Sequence, residues 1–146
     1  MKIKKFKTIS STHTYLKENN SKYTENTAIL ADEQTGGIGT KGRNWHTGSN
    51  KNIAMSMLFR PQKNVKKLEG LTIEIAKRIQ KIMEQKYNIK LTIKEPNDLM
   101  LNEKKICGIL TESNTIGNKI NYVIISIGFN INEDKFPNEL ENIATS

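Results

Sequence analysis

The sequence predicts an α+β domain, in which a mixed β-sheet packs against one long helix and one short helix. Three observations predict this class. Residues 66–87 repeat apolar side chains at three- and four-residue steps, which is typical of an amphipathic helix. Residues 52–60 alternate like a strand. Residues 105–114 and 119–128 flank Gly117-Asn118 and predict a hairpin.

The first third of the chain predicts two strands around a short helix. Residues 2–9 alternate loosely and form the first strand. Ser10-Ser11-Thr12 can cap a helix that runs to about Asn19, with Tyr15 and Leu16 turned inward. Residues 27–33 form a short apolar strand that leads straight into a glycine-rich loop.

The middle of the chain predicts a strand, the long helix and a second strand. Residues 52–60 place apolar side chains on both faces, so we expect both faces of this strand to be largely covered, and Pro61 ends it. The apolar repeat predicts one helix over residues 66–87. A strand over residues 89–94 follows, and Pro96 pushes Glu95 towards an extended conformation.

The last third predicts the hairpin and the beginning of another helix. Residues 123–127 are apolar on both faces, which indicates a buried central strand. Residues 136–146 have the pattern of a helix that starts and is not capped. No repeat or linker divides the chain, so residues 1–146 are predicted to form one domain, cut from a longer chain.

Composition argues against several classes of protein. The net charge of +8 could attract nucleic acid, but the cations are scattered and lysine supplies 20 of the 23. No apolar stretch is long enough to cross a membrane, and no secretory signal follows Met1. Cys107 is the single cysteine, so an internal disulfide is impossible and a cytoplasmic location is expected. His13 and His46 are isolated, so no zinc site is predicted.

Three polar segments carry the candidate chemistry. Residues 34–45 place four glycines within seven residues, followed by Arg43 and Trp45, and such a loop can bring its main chain close to an anion. Residues 94–99 and 105–110 each begin with a lysine that could add positive charge. Each segment also has a plain alternative, namely a flexible surface hairpin, an Asx turn and a solvated lysine respectively.

Together, the three segments resemble the catalytic domain of biotin protein ligases. That family carries a Gly-Arg-Gly-Arg-x-Gly-Arg-x-Trp loop, then Lys-Trp-Pro-Asn-Asp, then Lys-(apolar)-x-Gly-Ile-Leu-x-Glu, and later Gly-x-Gly-x-Asn. The matching segments here are residues 37–45, 94–98, 105–112 and 126–130, and Ser11-Thr12-His13 is similar to an upstream Ser-Thr-Asn. The resemblance covers almost the whole chain and implies the class II aminoacyl-tRNA synthetase-like fold of biotin–lipoate ligase catalytic domains.

The resemblance also implies a reaction. Biotin and ATP, usually with Mg²⁺, form biotinyl-5′-AMP, and the biotinyl group is then ligated to a lysine of a carboxylase's biotin carboxyl carrier domain. No winged-helix segment precedes the first strand, so a DNA-binding domain is not expected, nor is a membrane partner. The sequence leaves the oligomeric state open, a dimer included.

The resemblance assigns roles to individual residues. Lys105 and Arg43 would be catalytic, and Lys105 would touch both the biotin carboxylate and the phosphate. The biotin site would comprise Lys105 together with Ser11, Thr12, His13, Gln34, Gly37, Ile38, Gly39 and Thr40. The ATP and adenylate site would comprise Lys41, Arg43, Trp45, Lys94, Asn97, Asp98 and Asn130. Asp98 would be the contact for Mg²⁺.

The departures from the family pattern motivate an alternative to the ligase. Ile38, Thr40 and Lys41 replace family arginines, Glu95 a tryptophan, His13 an asparagine and Ser126 a glycine. Loss of the arginine at Thr40 would weaken retention of the adenylate by about 1.5–3 kcal/mol. The chain could therefore be a non-catalytic remnant that binds biotin or adenylate. A lipoate ligase is less favoured, because that family's Arg-Arg-x-Ser-Gly-Gly-Gly pattern is absent.

Overall fold

A computed structural model describes residues 1–23, 26–48 and 50–146. Over these residues the chain forms two α-helices and seven strands, with three short 3-10 helices between them. Their bounds are β1 (Lys2–Ile9), α1 (Thr12–Glu18), β2 (Thr27–Gln34), β3 (Asn52–Phe59), α2 (Leu71–Tyr87), β4 (Thr92–Lys94), β5 (Asp98–Leu101), β6 (Lys104–Ile116) and β7 (Lys119–Asn130). The 3-10 helices are Asn20–Lys22, Thr40–Gly42 and Val65–Leu68.

All seven strands belong to one mixed sheet, in the order β1-β2-β3-β7-β6-β5-β4. The pair β1 and β2 is parallel, and every other neighbouring pair is antiparallel. The apolar β7 lies in the centre, between β3 and β6. The predicted α+β class, the mixed sheet and the buried central strand are confirmed.

The two helices cover opposite faces of the sheet. Leu16 of α1 packs with Leu58 and Ile124, whereas Ala76 of α2 packs with Ile109 and Phe129. Residues 124 and 129 of β7 differ by an odd number, and successive side chains of a strand point to opposite faces. The α1 face therefore carries the even-numbered side chains of β7, and the α2 face carries the odd-numbered ones.

The short helix α1 begins as predicted. Ser11 is its N-cap, and its hydroxyl oxygen accepts a hydrogen bond from the backbone N–H of Thr14. Leu16 is fully buried. This cap fixes the first turn of α1 against the sheet, directly above β3 and β7.

The long helix and the strand after it are shorter than predicted. The helix was expected to start at residue 66, but Gly70 takes a left-handed backbone conformation (φ 71°) and α2 starts at Leu71. A separate 3-10 turn, Val65–Leu68, occupies the expected first turn. The strand that was expected over residues 89–94 is reduced to β4, although Leu91 remains buried.

The predicted helix at residues 136–146 is wrong. This segment forms turns and then runs beside β6, where Ala144 makes a parallel bridge with Lys105. The backbone N–H of Lys105 donates to the Ile143 carbonyl, and the N–H of Thr145 donates to the Lys105 carbonyl. Pairing with a strand satisfies these backbone groups in place of a helix.

The expectation that both faces of β3 are largely covered holds for one face only. Ala54, Ser56 and Leu58 on the α1 face are buried, but Ile53 on the other face is 42% exposed. The reason is that α2 packs mainly on β4, β5 and β6. No helix in the described ranges is long and apolar enough to cross a lipid bilayer.

Candidate functional site

Two adjoining cavities open on the α1 face of the sheet. The first cavity lies between the start of α1, the end of β2, the loop at residues 38–40 and the strands β6 and β7. The second cavity lies between the glycine-rich loop, residues 94–98 and the segment after β7. Five residues line both cavities: Gly39, Thr40, Trp45, Asn97 and Lys105. The three polar segments of the sequence therefore meet in one place.

The first cavity has a polar floor. The Gln34 side-chain oxygen accepts hydrogen bonds from the backbone N–H of Thr12 (2.8 Å) and from its hydroxyl (3.0 Å). The Thr12 hydroxyl also lies 2.8 Å from that of Ser56, which lies 2.7 Å from that of Ser126. His13 follows, with Nδ1 2.8 Å from the Ser126 hydroxyl. These side chains can bind a ligand rich in N–H and C=O groups.

The glycine-rich loop is held in shape by its own backbone. Trp45 N–H donates to the Gly37 carbonyl, and Gly39 N–H donates to the Arg43 carbonyl. Residue 37 must be glycine, because a Cβ there would overlap the Trp45 carbonyl. The Gly39 N–H is consumed within the loop in this conformation, so it is not free for an anion.

The Trp45 ring lies flat over two glycines of neighbouring strands. Gly108 of β6 and Gly128 of β7 are register partners, and a Cβ on either one would run into the indole. Only glycine lets the ring approach the sheet this closely. The ring therefore forms part of the floor shared by both cavities.

Lys105 lies at the junction of the two cavities. Its Nζ is 2.7 Å from Asp98 Oδ1 and 5.2 Å from the centre of the Trp45 ring. The ammonium and the carboxylate form an ion pair, but their geometry is not that of a hydrogen bond, and the buried Asp98 Oδ1 has no other hydrogen-bond donor. Lys105 also lines the first cavity beside Ile38, Gly39 and Thr40. An anion entering either cavity meets this ammonium.

The second cavity combines charge with an apolar wall. Arg43, Lys94 and Asp98 line it, together with Phe136, Leu140 and Ile143 from the segment after β7. Asn130 donates to the Thr145 carbonyl through Nδ2, and its buried Oδ1 has no hydrogen-bond partner. Such a cavity suits a ligand with an aromatic ring at one end and phosphates at the other.

Most of the predicted site residues line one or both cavities. The first cavity contains Ser11, Thr12, His13, Gln34, Ile38, Gly39, Thr40, Trp45, Asn97 and Lys105. The second contains Gly39, Thr40, Arg43, Trp45, Lys94, Asn97, Asp98, Lys105 and Asn130. Gly37 and Lys41 are absent from both linings, since Gly37 is buried under Trp45 and Lys41 is exposed.

The sequence did not point to several of the lining residues. Ala54 of β3 and the wall formed by Phe136, Leu140 and Ile143 were missed. The signal for Gly128 was available, because it lies in the late glycine motif opposite Gly108. The sequence does not reveal this wall, because the pattern of residues 136–146 predicts a helix.

Comparisons with known proteins agree with this geometry. The family model described as "Biotin/lipoate A/B protein ligase family" matches residues 5–130. The "Bifunctional ligase/repressor BirA" of Bacillus spizizenii is 40% identical over 129 residues, covering 87% of this chain and 40% of that protein. The chain thus spans less than half the length of this curated relative.

Two solved structures have the same fold. The biotin protein ligase from Aquifex aeolicus in complex with biotin and ATP superposes with a TM-score of 0.77 at 32% identity, covering 99% of this chain and 58% of that chain. The biotin protein ligase from Leishmania major in complex with biotinyl-5-AMP gives a TM-score of 0.74 at 26% identity, covering 99% of this chain and 62% of that chain.

Proposed function

Because the chain belongs to the biotin/lipoate A/B protein ligase family, we propose that it carries the active site of an ATP-dependent biotin protein ligase. In the first step the biotin carboxylate attacks the α-phosphate of ATP, which forms biotinyl-5′-AMP and releases pyrophosphate. In the second step a lysine ε-amine of a biotin carboxyl carrier protein attacks the activated carbonyl and releases AMP. The similar proteins support this proposal, because they include biotin ligases in complex with biotin, ATP and biotinyl-5-AMP.

The position of Lys105 is the observation that carries the proposal. The first step brings two anions together, a carboxylate and a phosphate, and they repel each other. Lys105 lines both cavities, so its ammonium can contact a carboxylate in the first and a phosphate in the second. A cation fixed between them offsets the repulsion and stabilises the negative charge that builds in the transition state.

The remaining residues divide between the two substrates. We assign the ring end of biotin to Ser11, Thr12 and Gln34, whose polar groups line the first cavity. We assign the nucleotide to the second cavity, where Arg43 and Lys94 can pair with phosphates and the apolar wall can contact the base. Trp45 lies between the two and can pack against either ligand.

Asp98 is the proposed contact for Mg²⁺. Its buried Oδ1 makes no hydrogen bond and pairs with the Lys105 ammonium at 2.7 Å, so this oxygen already lies in a position that suits a cation. No group of three acidic, histidine or cysteine side chains in the described ranges could hold a metal on its own. This arrangement fits Mg²⁺ that arrives with ATP, because protein sites for Mg²⁺ often supply one or two carboxylates and leave the rest to phosphates and water.

The residues that replace family arginines in the loop affect how well biotinyl-5′-AMP is retained. Ile38 and Thr40 face the first cavity, where family members carry arginines, and among the described residues Lys105 is the lysine that lines this cavity. We therefore propose that the adenylate forms and is released faster than in a typical member. A cytoplasmic location is also proposed, because ATP is used there and the free thiol of Cys107 stays reduced there.

The decisive experiment is pyrophosphate exchange into ATP, measured on the 146-residue chain with and without biotin. Exchange that depends on biotin would support a ligase. Biotin binding without exchange would identify a non-catalytic binding protein. Exchange stimulated by lipoate and not by biotin would reassign the substrate.

A further inference from the structure

A continuous hydrogen-bond chain runs under the first cavity and out to the protein surface. It joins six side chains in the order Gln34, Thr12, Ser56, Ser126, His13 and Glu112. Its inner members are buried, and His13 is 2% exposed. Two of them, His13 and Ser126, are departures from the family pattern, and they contact each other at 2.8 Å.

The Gln34 end of the chain fixes the direction of the first hydrogen bond. The backbone N–H of Thr12 donates to the side-chain atom of Gln34 that is assigned as oxygen, and an amide nitrogen could not accept it. The same oxygen lies 3.0 Å from the Thr12 hydroxyl and carries no proton. The Thr12 hydroxyl must therefore donate to Gln34.

The Glu112 end of the chain is an acceptor. Burial raises the pKa of the Glu112 carboxyl. Hydrogen bonds from Lys17 and His13 together lower this pKa by a larger amount, so the net shift is downward. Lys17 Nζ lies 2.8 Å from Oε1, and His13 Nε2 lies 3.0 Å from Oε2. Glu112 is thus a carboxylate at neutral pH, and it can only accept.

The protons between these two ends can now be counted. Each hydroxyl has one proton, so Thr12 donates to Gln34, Ser56 to Thr12 and Ser126 to Ser56. His13 must then donate from Nδ1 to Ser126 and also from Nε2 to Glu112. Five contacts need five protons, and a neutral imidazole brings the total to only four. The chain is complete only when His13 is an imidazolium.

We propose that His13 is a positioning residue for biotin, which acts as a buried imidazolium that fixes the direction of this hydrogen-bond chain. The proposal rests on the proposed function, because biotin is the ligand. The proton of Thr12 is committed to Gln34, so Thr12 keeps a lone pair for the cavity and can accept from an N–H of the ligand. The oxygen of Gln34 already accepts two hydrogen bonds and one amide N–H donates to Thr47, which leaves the other amide N–H as a donor. A cyclic urea, which has N–H and C=O groups side by side, matches this pattern.

Loss of the proton would disturb the floor of the cavity. A neutral ring leaves one contact of the chain without a hydrogen, and the gap can fall at the link between Thr12 and Gln34. The charged groups around His13 are Glu112 on β6 and Lys17 on α1. The Tyr122 hydroxyl on β7 raises the pKa of Lys17 by an electrostatic interaction. Biotin affinity is therefore expected to fall where rising pH removes the proton.

The protonation state can be read directly by ¹⁵N NMR of the histidine rings in the wild-type chain. The chain has two histidines, and His46→Asn assigns the signals. We expect both ring nitrogens of His13 to carry a proton at pH 7, in the free chain and with biotin bound. A neutral ring at pH 7 in a chain that binds biotin would overturn the proposal.

Two substitutions remove the need for the charge. In Glu112→Gln, the side-chain amide can donate a proton to Nε2 of His13. Ser126→Ala removes two contacts and one donor from the hydrogen-bond chain. In either variant, a neutral His13 ring supplies all the protons that the remaining contacts need. Wild-type biotin affinity should weaken by about fivefold across the titration, the equivalent of roughly one hydrogen bond. Both variants should lose this pH dependence, whereas Glu74→Gln, on the exposed surface of α2, should keep it.

The outcomes separate the two proposals. Persistence of the wild-type pH dependence in both Glu112→Gln and Ser126→Ala would overturn the role of His13. A wild-type chain that is folded but binds no biotin at any pH would overturn the proposed function, and with it the ligand assigned to His13.

Discussion

The ammonium of Lys105 lies 2.7 Å from the carboxylate of Asp98, at the junction of the two cavities. This ion pair keeps the lysine side chain aimed at the site in the absence of a ligand. A substrate carboxylate or phosphate must compete with Asp98 for it, so the lysine is held in position but is not permanently neutralised.

Lys105→Ala should abolish biotin-dependent pyrophosphate exchange while the chain stays folded. The lysine side chain is 31% exposed, and loss of such an ion pair costs about 1 kcal/mol or less. Exchange assays and thermal unfolding measure the two effects. Lys104→Ala is the matched control, because Lys104 lines neither cavity. Unchanged exchange in Lys105→Ala would show that the charge acts elsewhere.

Gly128→Ala should push the Trp45 ring off the sheet. The added methyl group overlaps the indole, and such overpacking costs about 1–3 kcal/mol of unfolding free energy. Trp45 is the single tryptophan, so its fluorescence reports the displacement. The double variant Gly128→Ala/Trp45→Ala has no indole to displace and should be penalised less by the methyl group than the single variant. Equal penalties with and without Trp45 would contradict the contact.

Thr40→Arg should slow release of the adenylate. A charge-assisted hydrogen bond to the phosphate is worth about 1.5–3 kcal/mol, which corresponds to roughly a 10- to 150-fold longer lifetime. Rapid dilution of labelled biotinyl-5′-AMP complexes measures this rate. Lys41→Arg, at an exposed position outside both cavities, should change it little. Equal release from wild type and Thr40→Arg would place the adenylate away from residue 40.

Cys107 should be unreactive in the folded chain. Burial raises the pKa of its thiol to about 12, so the reactive thiolate is scarce at neutral pH. Iodoacetamide should label it only after unfolding.

The same shift makes the stability depend on pH. The folded state retains the proton that the unfolded state loses above its ordinary pKa of 9.0. The unfolding free energy of wild type, relative to Cys107→Ala, should therefore fall as pH rises from about 9 towards 12, by at most about 1.4 kcal/mol per pH unit. A difference independent of pH would contradict the burial of the thiol.

The strands and the short helix could be predicted because their signals are local. Alternation marked β3, the Ser11 cap marked α1, and Gly117-Asn118 marked the hairpin of β6 and β7. The strand β5 was missed, because it has four residues and its turn uses Asn102 and Glu103, both with positive φ. Glutamate is rare at such a position, so no turn signal was visible.

Motif spacing indicated most of the residues that line the two cavities, but it did not indicate how they contact one another. Motif spacing brought together Lys105, Asp98 and the glycine loop, because three segments of one family pattern were present. The ring of Trp45 on Gly108 and Gly128 depends on strand register, which the sequence does not specify. The link between His13 and Ser126 crosses from α1 to β7, and no local pattern encodes it.

Residues 143–145 hold the backbone of Lys105 in place. The backbone of Lys105 is bonded through its N–H to Ile143 and through its carbonyl to Thr145, on the segment that also walls the second cavity. A ligand that displaced this wall would re-aim the ammonium at the same time. In the proposed ligase, recognition of the adenine end and delivery of positive charge to the reacting atoms would thus be tied together by one short stretch of main chain.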